Sequence, residues 1–229
     1  MRRQQLVWFK EHNDQSTLPT MGHTDPTIGV VYFTEFLRKK GISSGKVVDI
    51  GSGKGRNSAF MAEQGFEVYG LEYIKSANDI AKELAKKQNV GTKVHLQLCD
   101  VAKPWKFEND FFDVAIDSYT SIDIETKRGR EKSRDEMWRS LKPSGYGLIL
   151  VVSADDEWER KMIAKYPGPE PNSCIWPQNG KFQKDYDEAE LREFYKKFLV
   201  MEIKKVNKPV FKLGRNGTST DLWVILHKS

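Results

Sequence analysis

The chain has 229 residues, of which 38% are hydrophobic, 11% aromatic and 30% charged. This composition is typical of a globular protein with one sizeable core, and it excludes disordered, collagen-like and disulfide-stapled proteins. The 37 basic and 32 acidic residues give a net charge of +5. Because both signs alternate along the chain, the charge pattern does not favour a nucleic-acid-binding protein.

The apolar runs and the few cysteines exclude further classes. The run at 146–152 is far shorter than the ~20 residues that span a bilayer, and residues 1–15 lack the apolar core of a secretory signal. The sequence therefore predicts a cytoplasmic protein with no membrane segment. We also expect no disulfide framework and no protein-bound metal, because the cysteines and histidines show no ligand spacing. These residues are Cys99, Cys174, His12, His23, His95 and His227.

The predicted elements begin with one helix over residues 27–41, after a polar stretch at 12–27 that either orders over a ligand or stays mobile. From residue 46 onward, β-branched runs alternate with amphipathic segments, as in a parallel sheet flanked by helices. Five strands are predicted at 46–50, 66–72, 93–98, 112–117 and 146–152. The helices between them are predicted at 56–65, 75–88 and 124–141.

The last third of the chain has a different pattern. Residues 166–180 carry four of the nine prolines, so a long loop with little regular structure is predicted there. A helix at 187–198 follows, then a strand at 198–211 that breaks at Pro209, and a final strand at 219–228. Two consecutive strands without a helix between them indicate an antiparallel pair at one edge of the sheet.

A glycine-rich loop joins the first predicted strand to the next helix, and it is the most informative segment. It reads Asp49-Ile50-Gly51-Ser52-Gly53-Lys54-Gly55. In an open parallel sheet, ligands bind beyond the carboxyl ends of the strands, where glycines let the backbone approach them. Glu72 ends the second strand, 21 residues after Gly51, close to the ~20 expected of an acid that binds ribose hydroxyls. The segment therefore predicts an adenosine-type ligand.

Two nucleotide-phosphate motifs fit this loop poorly. The dinucleotide pattern G-x-G-x-x-G places Arg56 where a third small residue is needed for close helix–strand packing. This disfavours an NAD-type oxidoreductase without excluding one. A P-loop requires Ser or Thr after its lysine, whereas Lys54 is followed by Gly55.

The pattern D-x-G-x-G-x-G at the end of the first strand resembles the cofactor-binding motif of class I S-adenosylmethionine-dependent methyltransferases. The similarity extends over residues 28–152 and is carried by GFEVYGLEYIKSA, LQLCDVAKPW, FFDVAIDSYTS and WRSLKPSGYGLILV. GRNSAFMAEQGFEVYGLE looks like the small-molecule branch that includes tellurite-resistance and thiopurine-type methyltransferases. The resemblance implies the α/β fold class: a Rossmann-like, doubly wound, seven-stranded sheet, mostly parallel with an antiparallel strand at one edge, in an α/β/α sandwich.

The same resemblance implies one methyltransferase domain over residues 1–229. Within it we expect an N-terminal helical cap or lid at 1–41 and a cofactor-binding core at 46–152. The acceptor-side loop and the antiparallel edge would then occupy 153–229.

The resemblance also implies S-adenosyl-L-methionine as the cofactor, S-adenosyl-L-homocysteine as the product and a set of binding residues. Asp49 would bind the amino group of the methionine moiety, and Glu72 both ribose hydroxyls. Asp100 would bind the adenine amine, with the Val101 amide donating to a ring nitrogen. The other predicted cofactor-binding residues are Gly51, Ser52, Gly53, Gly55, Asn57, Tyr73, Asp117 and Ser118. Tyr73 is equally compatible with a surface position, and Asp117 and Ser118 with turn chemistry.

A sulfonium donor makes methyl transfer a direct displacement, so the protein mainly aligns the acceptor with the donor. Asp117 is the predicted catalytic residue; the other candidate bases are Tyr119, His23 and Tyr32. The fourth strand lacks the N/D-P-P-Y/F run of adenine-, cytosine- and glutamine-modifying enzymes, which favours a small-molecule acceptor over nucleic acid. Trp158, Tyr166, Trp176 and Phe182 are expected either to form the acceptor pocket or to pack an ordinary loop.

Three alternative functions remain from the sequence alone. The first is a non-catalytic protein that binds S-adenosylmethionine or a partner, because a fold does not settle activity. The other two, an NAD-type oxidoreductase and a protein methyltransferase, are less favoured. The sequence identifies neither the acceptor atom nor the oligomeric state.

Overall fold

The computed structural model of the protein describes residues 3–14, 23–212 and 215–229. Its helices are α1 (Arg3–Asp14), α2 (Ile28–Lys39), α3 (Arg56–Glu63), α4 (Lys75–Lys87), α5 (Lys127–Ser140), α6 (Glu157–Lys165) and α7 (Glu188–Phe194), with a short 3-10 helix at Ser121–Asp123. Its strands are β1 (Lys46–Ile50), β2 (Glu67–Glu72), β3 (Val94–Leu98), β4 (Phe112–Ser118), β5 (Leu141–Val152), β6 (Ser173–Ile175), β7 (Phe182–Lys184), β8 (Leu199–Lys212) and β9 (Arg215–His227). None of the helices in the described ranges is both long and apolar enough to cross a bilayer.

Seven strands form the main sheet in the order β3-β2-β1-β4-β5-β9-β8. The first five are parallel, and β9 runs antiparallel to both β5 and β8. From β1 the chain winds outward to β3 and then returns to place β4 and β5 on the other side. The carboxyl ends of β1 and β4 therefore border the crevice where ligands bind in such sheets. The predicted fold class is confirmed.

Alternating side chains of the central strands fill a core on each face of the sheet. Val48 and Ala115 belong to the core beneath α5 and α7, whereas Val47 and Val114 belong to the core beneath α2, α3 and α4. This alternation follows from the two-residue period of a strand. It explains why the central strands are hydrophobic without interruption, since both of their faces are buried.

Helix α1 was not predicted. Its buried positions include Gln4, Glu11 and His12 beside Val7, so the residues on its inner face do not form an apolar stripe. Hydrophobic periodicity detects a helix only when the buried face is apolar. Residues 15–22, which belong to the predicted N-terminal lid, lie outside the described residues.

Three predicted boundaries were wrong in the second half of the chain. The proline-rich segment contains β6, which pairs with β7 in a small antiparallel hairpin. Strand β8 continues through Pro209 opposite Thr218, because it is the edge strand of the sheet, where a missing N–H is tolerated. Strand β5 begins at Leu141 rather than at residue 146, with an irregular register opposite Phe112 and Val114.

Candidate cofactor and acceptor site

The glycine loop after β1 lies at the carboxyl edge of the sheet. Gly51, Gly53 and Gly55 have φ values of 69°, 53° and 82°, which disfavour residues with a Cβ atom. A Cβ at Gly51 would collide with the side chain of Thr120 in the turn after β4. At Gly53, by contrast, the His12 ring is the sole neighbour within 4 Å of an added Cβ among the described residues. The backbone at Gly53 is therefore open to a ligand on one face.

Three carboxylates end neighbouring strands around this loop. Asp49 lies on β1, Glu72 on β2 and Asp117 on β4. The register places Ile50, the residue after Asp49, between Leu71 and Asp117. The three residues are 1%, 5% and 3% exposed. Adjacent parallel strands thus bring together three of the predicted site residues that are separated in sequence.

Hydrogen bonds fix each of these carboxylates. Asp49 Oδ2 accepts a hydrogen bond of 2.6 Å from Ser58 Oγ on α3. Glu72 accepts from the Gly53 amide at 3.1 Å and from the Ile74 amide at 2.7 Å, with one carboxylate oxygen each. Since a carboxylate oxygen has two lone pairs, both oxygens of Glu72 can accept a further hydrogen bond.

Asp117 is held in the same way by the turn after β4. Its Oδ1 accepts from the amides of Thr120 at 2.9 Å and Ser121 at 3.1 Å. Such hydrogen bonds are typical of an Asp that stabilises a turn, which was the structural alternative that the sequence left open for Asp117. Asp117 therefore stabilises the turn after β4 through Oδ1, while its Oδ2 takes part in neither of these two hydrogen bonds.

Burial dominates the electrostatics of the three carboxylates. It raises the pKa of Asp49 and of Asp117 to about 6 and the pKa of Glu72 to about 7. The charge of Asp49 raises the pKa of the other two further, while Arg56 opposes the shift at Asp49. A site with this concentration of buried acid favours a ligand that brings positive charge.

The remaining predicted cofactor residues lie around the loop. Asn57 Oδ1 accepts from the Thr27 amide at 2.9 Å, and Ser118 Oγ lies 3.3 Å from Thr27 Oγ1. These contacts tie the start of α2 to the site. Ser52 is 8% exposed, and its Oγ has no hydrogen-bond partner in the described part of the chain. Tyr73 is half-buried beside Glu72.

Asp100 and Val101 form the turn after β3. Asp100 Oδ1 accepts from the Ala102 amide at 3.2 Å, and the carbonyl of buried Val101 accepts from Trp105 Nε1 at 3.1 Å. Asp100 and Ala102 line an open cavity of about 620 Å³ that extends to α5. The position after β3 is thus reachable from outside while the three carboxylates are covered.

The other candidate bases have different surroundings. Tyr119 has a φ of 66°; its hydroxyl donates to Asp221 Oδ2 at 2.5 Å and accepts from Lys208 Nζ at 2.7 Å. Burial and Asp221 hold the pKa of Tyr119 well above its usual value, so this phenol stays protonated. The Tyr32 hydroxyl donates to Glu202 at 2.9 Å, and His23 is exposed.

The predicted acceptor-pocket aromatics divide into two groups. Trp176 and Phe182 are both 3% exposed and belong to the β6–β7 hairpin, whereas Trp158 and Tyr166 are partly buried against Met162, Cys174 and Trp176. Lys181 lies between the strands of this hairpin, with Nζ 3.4 Å from Asp123 Oδ1. Since Asp123 closes the 3-10 helix after β4, the hairpin reaches the carboxyl edge of the sheet.

Sequence reasoning missed several contacts of this edge. Thr120, Lys208 and Asp221 were not predicted, and no residue of α1 was assigned a role in the site. The only local signal among them is that Thr120 lies two residues after the end of β4. Lys208 and Asp221 belong to strands distant in sequence from the loop they support, and no short motif encodes such an encounter.

The described residues fit an S-adenosyl ligand. The open face of Gly53 provides a cradle that a Cβ would fill. Glu72 lies beside this cradle and offers two carboxylate oxygens for ribose hydroxyls, and Asp49 adds an acidic group for an ammonium. Residues 47–145 match the model of a methyltransferase domain family.

Over residues 47–145 the chain has a methyltransferase domain. S-adenosylmethionine is the cofactor of this family, as the resemblance implied. The methyltransferase family, and its TehB-like branch, were therefore predicted correctly from the glycine loop and the strands around it.

Curated relatives of the methyltransferase domain include a Haemophilus influenzae protein named "Probable S-adenosyl-L-methionine-dependent methyltransferase TehB". It is 25% identical over 176 residues, which cover 77% of this chain and 54% of that protein, so the chain spans about half the length of this relative. A protein-L-isoaspartate O-methyltransferase of Alkalilimnicola ehrlichii is 27% identical over 160 residues, which cover 66% of this chain and 69% of that one.

One solved structure similar to this methyltransferase domain has a bound ligand. It is the Burkholderia thailandensis 1,6-didemethyltoxoflavin-N1-methyltransferase with 1,6-didemethyltoxoflavin and S-adenosylhomocysteine. Its TM-score is 0.72 at 17% identity, and the alignment covers 99% of this chain and 87% of that one. At this identity the likeness shows the fold.

Proposed function

We propose that this chain transfers a methyl group from S-adenosylmethionine to a small-molecule acceptor in the cytoplasm. The observation that carries the proposal is the trio of buried carboxylates, Asp49, Glu72 and Asp117, around the open face of Gly53. When bound, S-adenosylmethionine supplies a methyl group activated by its sulfonium. The protein then contributes binding, alignment and exclusion of water.

The charge of the site supports this donor over a dinucleotide. S-adenosylmethionine brings a sulfonium and an ammonium, which match the buried acids, whereas the pyrophosphate of NAD is an anion that Asp49 beside the glycine loop would repel. The NAD motif also needs a small residue where Arg56 begins α3, and the charge of Arg56 faces Asp49 and Asp25. An NAD-type oxidoreductase is therefore the weaker candidate.

The roles that we assign to the residues follow their positions. Glu72 accepts hydrogen bonds from the ribose hydroxyls, Asp49 binds the ammonium of the methionine moiety, and Asp100 accepts from the adenine amine. Asp117 lies where the fourth strand ends and is the candidate proton acceptor, needed only if the attacked atom of the acceptor carries a proton. With a pKa of about 6, its carboxyl group is largely ionised at neutral pH.

The acceptor edge supports a small acceptor. Helix α1 and the β6–β7 hairpin pack together over the carboxyl edge, and Trp176 and Phe182 are buried beneath them. A site covered by a helix and a hairpin suits a small molecule better than a folded protein or a nucleic acid. The isoaspartate methyltransferase relative acts on a protein according to its name. The experiment below therefore also includes a protein-type acceptor.

Calorimetric titration with S-adenosylmethionine, S-adenosylhomocysteine and NAD tests the donor before any acceptor is known. We expect saturable binding of the two S-adenosyl ligands and none of NAD; the reverse outcome would overturn the proposal. Turnover is then measured as S-adenosylhomocysteine formed with a mixture of small metabolites, with isoaspartyl peptides and with no acceptor. Donor binding without turnover in any mixture would favour the non-catalytic alternative.

A further inference from the structure

His12 lies against the donor loop although it is 41 residues away from it in sequence. Its Cε1 is 3.6 Å from the position of a Cβ added to Gly53, and apart from residues 52–54 themselves it is the one described atom within 4 Å of that position. The residue is 5% exposed. The imidazole at the end of α1 therefore lies within van der Waals range of the backbone face at which we propose that the donor binds, beside Glu72, whose carboxylate accepts from the Gly53 amide.

The Nδ1 atom of this imidazole is buried and has no hydrogen-bond partner among the described residues. Buried polar atoms are rarely left without a partner, because desolvation is not compensated. Burial and the nearby charge of Lys54 also lower the pKa of His12 to about 4. The ring is therefore neutral at physiological pH, with one nitrogen available as a donor.

Helix α1 is held in place by contacts that do not involve the donor loop. Gln4 Oε1 accepts from the Phe182 amide at 3.0 Å, and Gln4 Nε2 donates to the Phe182 carbonyl at 3.2 Å. Asn179 Nδ2 donates to Glu11 Oε1 at 2.7 Å. Because the hairpin sets the position of α1, His12 is presented to the loop by a rigid support, as a binding residue requires.

The carboxylate trio cannot bind every part of the donor. The methionine moiety carries its own carboxylate, which Asp49, Glu72 and Asp117 repel, so an anion partner has to come from elsewhere. His12 can donate a hydrogen bond, and Lys54 brings positive charge to the same side of the loop. A neutral donor next to a cation suits a carboxylate.

We propose that His12 is a donor-positioning residue whose Nδ1–H binds the methionine carboxylate of the S-adenosyl ligand. The inference rests on the proposed function, because its ligand is the donor of that reaction. It gives the N-terminal helix a place in the binding site, where the sequence predicted only a cap or lid.

Nitrogen NMR of the imidazole rings tests this contact directly. The protein is labelled with ¹⁵N-histidine, and the His12 signals are assigned by their loss in His12→Gln. We expect saturating S-adenosylhomocysteine to shift His12 Nδ1 and to leave exposed His95 unchanged. Calorimetric binding with unmoved His12 signals would overturn the inference alone; absence of calorimetric binding would overturn the proposed function together with it.

Two variants of His12 distinguish a hydrogen bond to the ligand from van der Waals packing of the ring against it. His12→Phe keeps a ring but removes the donor, and we expect about tenfold weaker binding of S-adenosylhomocysteine. Methylthioadenosine lacks the methionine carboxylate, so its affinity should not change. His12→Gln retains a donor and should recover much of the loss, and His95→Phe serves as the surface control. Equal weakening of both ligands would mean that the ring only packs, which would overturn the inference.

Discussion

We call the region around Asp49, Gly53 and Glu72, where we propose that the donor binds, the donor edge, and the region where α1 meets the β6–β7 hairpin, where we propose that the acceptor binds, the acceptor edge. These two regions are assembled from contacts of different range. At the donor edge, Ser58 binds Asp49 nine positions away, and the Gly53 amide binds Glu72 nineteen positions away. At the acceptor edge, Gln4 binds Phe182 across 178 positions, and Glu11 binds Asn179 across 168. These donor-edge contacts are therefore local in sequence, whereas the acceptor edge forms only when the N-terminal helix meets the β6–β7 hairpin.

The two edges also differ in how their charges are balanced. Near the hairpin, buried lysine and arginine have acidic partners: Lys181 faces Asp123, Lys184 faces Glu190, and Arg130 faces Glu170. At the donor edge, the described residues place three buried carboxylates together with Arg56 as the cation that acts on Asp49. The donor edge thus has acidic capacity left for a ligand, whereas these three cations of the acceptor edge are already paired.

Replacing Glu72 should have the largest effect on the donor edge. Glu72→Gln removes a charged acceptor of ribose hydroxyls, and charged hydrogen bonds contribute about 1.5–3 kcal/mol, so affinity for S-adenosylhomocysteine should fall about 10–100-fold. The far-UV spectrum should be unchanged. Calorimetry measures the effect, with exposed Glu63→Gln as a matched control. Wild-type affinity in a folded Glu72→Gln protein would remove Glu72 from the site.

Strain in the glycine loop should give the next largest effect. Gly51→Ala adds a Cβ at positive φ that also meets Thr120, and we expect a loss of about 1–3 kcal/mol in the free energy of unfolding. Gly41→Ala has a similar φ of 78° with no neighbour within 4 Å, so it isolates the backbone contribution.

Denaturant unfolding of the two glycine variants measures the difference. If Gly51→Ala costs no more than Gly41→Ala, then crowding by Thr120 does not contribute and the loop is less tightly packed against β4 than the structure indicates.

The local character of the donor edge explains what the sequence could reveal. Strand, glycine loop and helix follow one another at residues 46–63, and Glu72 lies at a spacing typical of a ribose-binding acid, so the family, the fold class and the candidate site follow from short motifs. Helix α1 could not be predicted, because its buried face carries Gln4, Glu11 and His12. Only the folded chain shows that Gln4 and Glu11 are hydrogen-bonded to the hairpin and that His12 lies beside Gly53.

The dependence of folding stability and of donor binding on pH should distinguish the donor edge from the acceptor edge. Asp49, Glu72 and Asp117 have pKa values of about 6, 7 and 6 in the folded chain, above those of an unfolded chain. Between about pH 4 and 7 the folded state therefore binds more protons than the unfolded state, and the ligand-free protein loses stability as pH rises. His12 opposes this trend between about pH 4 and 6.5, because its lowered pKa of about 4 lets the unfolded chain bind one more proton there, but the three carboxylates outnumber it.

A cationic donor binds the ionised carboxylates best. We therefore expect the affinity for S-adenosylmethionine to rise roughly three- to tenfold from about pH 5.5 to about pH 7.5, with release of protons on binding. Calorimetry in buffers of different ionisation enthalpy counts those protons, and Glu72→Gln should release fewer. A flat pH profile without proton release would mean that the three acids do not face the ligand.

The smallest effect is expected at the contact that joins the two edges. Gln4→Ala leaves the buried N–H and C=O of Phe182 without partners, which costs about 1–3 kcal/mol locally. Hydrogen exchange of α1 amides should accelerate at least about tenfold while β1 stays protected, since only this helix opens. Donor affinity should fall by roughly threefold or less, because the carboxylate trio remains intact and only the support of His12 is loosened. Exposed Lys10→Ala on the same helix is the control. Unchanged hydrogen exchange of the α1 amides in Gln4→Ala would mean that the hairpin does not hold α1 in place. The contact between Gln4 and Phe182 would then not link the donor edge to the acceptor edge.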